Sequence, residues 1–327
     1  MKFNCSVKIV DALMGSGKSF AAMNFINQSS DDVKFLVITP YLDEILRYQN
    51  YCSAKAFRQP MYRGCSKLDN LKTLISQRQN IVATHALFQR FDHEMINLCR
   101  DNNYTLILDE AAHVVEDYVI SESDYELLKN HFIYTDDNHL IRWRKQQANY
   151  SGKFSDIKRL CDLGSLACYS GPLMMWLFPI EAFQAFNNIY ILTYMFHTQL
   201  QRYYYDYYRL PYEFIYVAGS TPETYHFTYD SAIQNRSADF QDLIHLICND
   251  KMNDVGSGET DLSKAWFTRN QNGAAVKQLK NNLTNFFRNM RTDKASDNIW
   301  TTIKDDRRLL SCLLYTSPSP RDPKTSR

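Results

Sequence analysis

Apolar runs and polar breaks alternate in a regular way along residues 1–200. Val7–Val10 is a short apolar run, and Phe20–Ile26 behind it reads as the start of a helix. Lys34–Thr39 is β-branched and apolar, is closed by Pro40, and predicts a second strand. Asp43–Tyr51 has helical spacing through Ile45, Leu46 and Tyr48, and Leu68, Leu71, Leu74 and Ile75 give a clearer helical face. Asn80–Thr84 predicts a third strand, followed by a helix carrying Leu87, Phe88, Phe91, Met95 and Leu98. Tyr104–Asp109 is nearly all apolar before its final Asp and predicts a fourth strand. Continuous apolar strands that alternate with helices belong to a parallel sheet covered on both faces. Farther on, residues 120–160 are polar and read as an insertion or helical connector. Leu173–Phe186 reads as packed helix, Asn188–Thr193 and Glu213–Ala218 as strands, 235–260 as loop, and Lys277–Met290 as helix.

Composition bounds the picture. The 327 residues suffice for two domains, and 45% hydrophobic content supports a real core and excludes disorder by composition. The net charge of +1 carries no global basic field. Eight scattered cysteines without a C-x-x-C pair or zinc spacing read as reduced thiols in a cytoplasmic setting. No signal peptide and no apolar run of membrane-spanning length is expected, so the protein should be soluble. The string CLLYTSPSPRD at 312–322 resembles the conceptual translation of a short-read sequencing adapter; an ordinary Ser/Pro-rich tail is the alternative. On the adapter reading the genuine chain stops near Ser311. Residues 312–327 carry Arg321, Lys324 and Arg327 against Asp322, a net of +2, so without them the charge falls from +1 to −1.

The chemistry begins at Ala12–Ser19. This stretch fits the phosphate-binding loop, which has Ala or Gly, then four residues, then Gly-Lys and Ser or Thr, and it lies between a strand and a helix as that motif requires. Gly15 and Gly17 let backbone wrap a phosphate chain, with Met14 and Ser16 completing the loop. Loop amides and the helix start would face the anion. Lys18 would reach the β- and γ-phosphates of ATP, and Ser19 would give its hydroxyl to Mg²⁺.

A second constellation follows the fourth strand: Asp109, Glu110, Ala111, Ala112, His113. An Asp at the carboxyl end of a buried parallel strand is where an open α/β sheet presents ligands. Asp109 would hold Mg²⁺, and Glu110 would orient or deprotonate the attacking water. An isolated Asp-Glu pair reads first as a solvated helix cap; behind an apolar strand and a phosphate loop it reads as the site. His113, three residues past Glu110, would share its helical face.

Ala12–Ser19 with DEAAH at 109–113 resembles the superfamily 2 helicases of the DEAD/DEAH-like group, most of all those of tailed bacteriophages. Thr39 and Pro40 with Glu44 and Arg47, and Thr84 with His85, resemble the family's segments that touch nucleic-acid backbone. Thr193 sits where the family couples ATP state to the nucleic-acid channel, though Tyr194 replaces the usual Ala. His113 would share that coupling. The resemblance covers residues 1 to about 200. It implies an α/β P-loop NTPase, a RecA-like parallel sheet flanked by helices, with a polar or helical insertion at about 120–187. Residues 201–311 would be the incomplete start of a second lobe or a linker, whose Gln and paired-Arg motifs have no convincing copy. Arg288, Arg291, Arg307 and Arg308 lack the diagnostic spacing.

The expected function is therefore an ATP-dependent helicase or translocase in phage replication or recombination. It would act on DNA rather than RNA, with ATP and Mg²⁺ as cofactors, nucleic acid and phage replication proteins as partners, and no membrane. The fragment itself should unwind nothing. A packaging terminase ATPase shares the loop and acidic pair, and a nucleotide-gated binding module without hydrolysis is the non-enzymatic alternative. Gln201–Tyr212 packs six Tyr and two Arg into twelve positions. It could stack single-stranded bases or bury one face of an aromatic helix.

Overall fold

A computed structural model of the chain describes residues 5–62, 64–170, 173–233, 251–252 and 254–290. The chain forms two compact units, Met1–Ala238 and Asp239–Arg327. The tail at 312–327, most of 235–260, and Arg291, Arg307 and Arg308 lie outside the described residues.

The first unit begins with β1 (Ser6–Asp11), α1 (Lys18–Gln28), β2 (Lys34–Thr39), α2 (Leu42–Tyr51), α3 (Lys67–Ser76) and β3 (Ile81–Thr84). Then come α4 (His85–Phe88), α5 (His93–Asp101) and β4 (Tyr104–Asp109). The helix expected after β3 is thus two. The chain turns at Gln89–Asp92, and the Asp92 carboxylate caps α5 by accepting the Met95 N–H at 2.9 Å.

Between β4 and the next strand of the main sheet lies a separate layer: β5 (Val115–Tyr118), α6 (Glu122–His131), β6 (Ile133–Thr135), β7 (Ile141–Trp143), α7 (Ser155–Asp162), β8 (Leu166–Ser170) and β9 (Leu173–Leu177). Strands β5, β9 and β8 form an antiparallel sheet, and β6 and β7 a hairpin. This layer has its own core, with Leu128, Ile141, Trp143, Phe154, Leu160 and Leu166 among its members. It is more than a polar connector. The apolar run at 173–186 is also corrected: it is strand β9 followed by the short α8 (Ile180–Gln184), not one packed helix. An apolar run without clear period suits either element, and pairing on both sides by β5 and β8 decides for the strand.

The chain returns through β10 (Asn188–Thr193), α9 (Leu200–Tyr208), β11 (Tyr212–Ala218) and β12 (His226–Thr228). The main sheet runs β12-β11-β1-β10-β4-β2-β3, with every pairing parallel except β11 with β12. The protein is therefore an α/β fold with a mostly parallel central sheet. Alternate side chains fill opposite faces: Ile9, Leu36, Leu106 and Ile191 on one, Val10, Val37, Ile107 and Leu192 on the other. The sheet continues past residue 200, because β11 pairs with β1 in register Val7 to Tyr212. Among the described residues, no helix is long and apolar enough to cross a membrane.

In the second unit the described part holds α10 (Lys264–Asn270) and α11 (Ala274–Asn285), the latter ending in a π turn at Phe286–Met290. Trp266, Phe267, Val276, Leu279 and Leu283 pack together there.

Candidate nucleotide site

The carboxyl ends of β1, β10 and β4 meet at one edge of the sheet. Ala12 N–H donates to Thr193 O at 3.0 Å, and Glu110 N–H donates to Leu192 O at 2.9 Å, so three strand ends are stitched side by side. The Asp11 carboxylate accepts the N–H groups of Met195 (2.8 Å) and Phe196 (3.0 Å), locking the turn after β10 onto the end of β1.

The loop between β1 and α1 adopts left-handed backbone at Gly15 (φ 80°) and Gly17 (φ 84°), which favours glycine at both positions. Gly17 caps α1, with no side-chain cap and no acidic residue in the first turn. The amides of that turn have no intrahelical acceptor and give the helix start a partial positive charge. Ser16 Oγ is buried without a hydrogen-bond partner among the described residues. An orphaned hydroxyl beside a helix N-terminus suits a phosphate.

Lys18 folds back on its own loop, donating to the carbonyls of Ala12 (2.5 Å) and Leu13 (2.8 Å). Burial holds its pKa below the usual lysine value, opposed by the carboxylates of Asp109, Asp11 and Glu110. Ser19 Oγ donates to Asp109 Oδ1 at 3.2 Å, bridging α1 to β4. The other carboxylate oxygen accepts from Tyr48 OH at 3.2 Å. Burial pushes the Asp109 carboxyl up to about 6; Glu44 adds to the rise, and the bonds from Ser19 and Tyr48 oppose it. Two hard oxygens, Ser19 Oγ and an Asp109 carboxylate oxygen, thus stand together beside the loop. That set fits Mg²⁺, which takes few protein ligands and completes its shell with phosphate oxygens and water.

Glu110 is exposed and has φ 82°, a left-handed conformation costly for a residue with a Cβ. The backbone from Glu110 to Val114 is irregular and then enters β5. The expected helical face shared by Glu110 and His113 is therefore corrected: left-handed backbone at Glu110 breaks the helix path at its first residue. His113 is exposed. His85 lies near the same turn, with Nε2 3.3 Å from Asp109 O, a contact that needs the proton on Nε2. Burial lowers the His85 pKa, with repulsion from His113 adding to it and the Asp109 carbonyl opposing.

Most of the remaining expected residues lie along the same edge of the sheet, with Thr39 and Thr84 as register partners at the ends of β2 and β3. Thr39 is fully buried and its hydroxyl donates to Tyr41 O at 3.1 Å; Pro40 follows at the strand end. Arg47 pairs with Glu44 at 3.0 Å and lies 4.6 Å from the Phe20 ring centroid, facing α1. Thr84 precedes α4 without making a side-chain cap bond. Thr193 is buried, with its hydroxyl in contact with the Gln199 amide at 2.7 Å. Met14 is exposed at the loop tip. Of the tyrosine-rich stretch, Tyr204 and Tyr205 are buried and Tyr203 and Tyr207 exposed, which is one face of a core helix.

Sequence reasoning missed Tyr48, Gln201 and Tyr225, the last with its ring against Gly17 of the loop. Gln201 is 1% exposed, and its Oε1 accepts the Ala112 N–H at 2.9 Å. No local pattern marks any of the three, since each reaches the site through tertiary packing.

Comparison with known proteins bears on the whole chain. It is 33% identical, over 322 residues, to the SPbeta prophage-derived uncharacterized protein YonV of Bacillus subtilis (strain 168), covering 95% of this chain and 78% of that one. The chain belongs to the YonV family. Residues 115–176 match the YonV middle domain, which coincides with the antiparallel layer from β5 to β9. Residues 238–318 match the YonV C-terminal Rossmann-like domain, which starts where the second unit does. Ala12–Ser19 and Asp109–His113 fall outside both matched segments. No solved structure matches the chain.

Proposed function

We propose that this member of the YonV family is an ATP hydrolase of P-loop type that acts on nucleic acid, DNA before RNA, as a helicase or translocase. The observation that carries the reading is the 3.2 Å contact between Ser19, behind the glycine loop, and Asp109, at the end of β4. Those residues are 90 positions apart in the chain. The sheet order supports it: β10, with Thr193 at its end, lies between the loop strand β1 and the acidic strand β4. The end of β10 touches both halves of the site, since Thr193 O accepts the Ala12 N–H and Leu192 O accepts the Glu110 N–H.

Mg²⁺ held by Ser19 and Asp109 would neutralise charge on the phosphate oxygens. Lys18 binds the terminal phosphates once it leaves the carbonyls of Ala12 and Leu13. The amides at the start of α1 orient the phosphate chain. Glu110, exposed beside Asp109, takes the proton of the attacking water or fixes its direction. The nucleic-acid part of the reading rests on the resemblance of the ordered motifs, Thr84 and His85 included.

Steady-state ATP hydrolysis by the chain, with and without single-stranded DNA, tests this. Turnover that rises with DNA and is lost in both Lys18→Ala and Glu110→Gln is expected. Unchanged turnover in both variants sinks the hydrolase reading, and turnover indifferent to DNA and RNA removes the nucleic-acid part.

A further inference from the structure

Tyr225 lies against the phosphate loop on a segment that the hydrolytic chemistry does not use. The connection Gly219–Tyr225 joins β11 to β12. Gly219 has φ 114°, and a Cβ there would stand 2.5 Å from Thr224 O, so glycine is required. Thr224 closes the turn: its Oγ1 accepts the N–H groups of Ser220 (3.1 Å) and Thr221 (3.0 Å). The buried Asn24 of α1 then clamps it, donating from Nδ2 to Pro222 O and Tyr225 O, both at 2.8 Å. Tyr51 OH bridges Asn24 Oδ1 (3.0 Å) and Pro222 O (3.2 Å). The segment is therefore a fixed arm.

What the arm holds in place is an aromatic ring. A Cβ on Gly17 would sit 2.5 Å from carbons of the Tyr225 ring, so this glycine is needed for the close approach as well as for its φ. Tyr225 stacks on Phe20 with centroids 6.4 Å apart and planes 18° from parallel. Tyr51 meets Phe20 edge-on at 5.4 Å, and Arg47 lies over the same ring at 4.6 Å. The Tyr225 ring is half-buried, leaving part of its surface open.

The sheet order gives the site a direction. Asp109 on β4 and Thr193 on β10 lie on one side of β1, and β11 with its arm lies on the other. The carboxylate marks the end where the metal and terminal phosphate belong. A nucleotide whose phosphates lie in the loop must direct its nucleoside away from Asp109, toward the arm. We propose that Tyr225 is the platform on which the nucleobase stacks, braced by Phe20, an inference that rests on the nucleotide reading above. Stacking of a base on an aromatic ring contributes about 1–3 kcal/mol, which is roughly five- to a hundredfold in affinity.

Calorimetric titration of the whole chain with Mg·ATP and with Mg·tripolyphosphate, which has the phosphates and no base, tests it. In Tyr225→Ala, ATP should weaken about five- to a hundredfold while tripolyphosphate stays within about twofold. Tyr225→Phe should keep ATP affinity within about threefold, because the ring is retained. Equal losses for both ligands would mark a structural role, an unchanged ATP affinity would mark no role, and tighter binding of both would mark the ring as a plug; each overturns the proposal. If the native chain binds neither ligand, or if Lys18→Ala binds both as well as the native chain, the nucleotide reading itself has failed and takes this one with it.

Discussion

Gln201 Oε1 accepts the Ala112 N–H at 2.9 Å, while its amide nitrogen donates to Tyr205 OH at 2.8 Å. A side chain of α9 thereby fixes the turn that leads away from Asp109 and Glu110. Gln201→Ala strands the buried Ala112 amide, and the loss should be about 1–3 kcal/mol of stability in urea unfolding. The turn that carries Glu110 loosens while Lys18 and Ser19 keep their places. Turnover should fall about tenfold or more, with Mg·ATP affinity changed little. Equal losses in kcat and in affinity would contradict a positioning role.

Glu110 holds φ 82° without being glycine. Left-handed backbone costs a residue with a Cβ about 1–2 kcal/mol. Glu110→Gly should raise the unfolding free energy by up to about 1 kcal/mol, since glycine's own entropy cost offsets part of the relief, and should abolish hydrolysis. A variant less stable than the native chain would show that the conformation carries no strain.

Asp109 titrates near 6 because burial disfavours its charge, against an ordinary value of 3.8. The fold favours the protonated acid, so this contribution to stability is complete below about pH 4 and lost as pH rises through about 6. Asp109→Asn cannot ionise and should exceed the native chain in stability by about 1–3 kcal/mol at pH 8, with the difference closing toward pH 4. Mg²⁺ needs the carboxylate. Mg²⁺-dependent nucleotide affinity should therefore drop below pH 6, approaching tenfold per unit, in the native chain and stay flat in the variant. Paired denaturation and binding series across pH 4–8 check both signs.

Ser165 is fully buried, and its hydroxyl has no partner among the described residues. Its backbone is engaged, donating to Leu160 O and accepting from Leu177 N–H, both at 2.8 Å. Ser165→Ala removes an unsatisfied group and leaves those bonds in place. It should stabilise the layer from β5 to β9 by about 1 kcal/mol, read as a shift in thermal unfolding, with nucleotide affinity unchanged.

The central sheet was legible where strands are buried on both faces. Lys34–Thr39, Tyr104–Asp109 and Asn188–Thr193 have the same bounds in the structure as in the apolar pattern. The layer from β5 to β9 was not, because its strands are only three to five residues long, too short to show a period, and Val115–Tyr118 reads as polar sequence. In the site, Lys18, Ser19 and Asp109 were legible because each belongs to a local motif. Tyr48, Gln201 and Tyr225 were not, because a hydroxyl, an amide or a ring supplied from a distant element leaves no spacing rule behind. Arg47 shows the converse: a motif position was legible, but its guanidinium lies on Phe20 and Glu44.

The placement of β1 has a consequence for synthesis. Its partners in the sheet are β10 and β11, which begin at Asn188 and Tyr212. While the ribosome is still making the layer from β5 to β9, the emerging chain already carries Lys18 but has no neighbouring strand for the loop to rest on. Strands β2, β3 and β4 pair among themselves and are free to form earlier. The glycine loop, translated before both sheet partners of β1, can be seated only once β10 has joined β1 to β4. That late, long-range closure is the slow kind of folding step. A chain cut short before Asn188 would leave β1 without either of its sheet partners and its loop unseated.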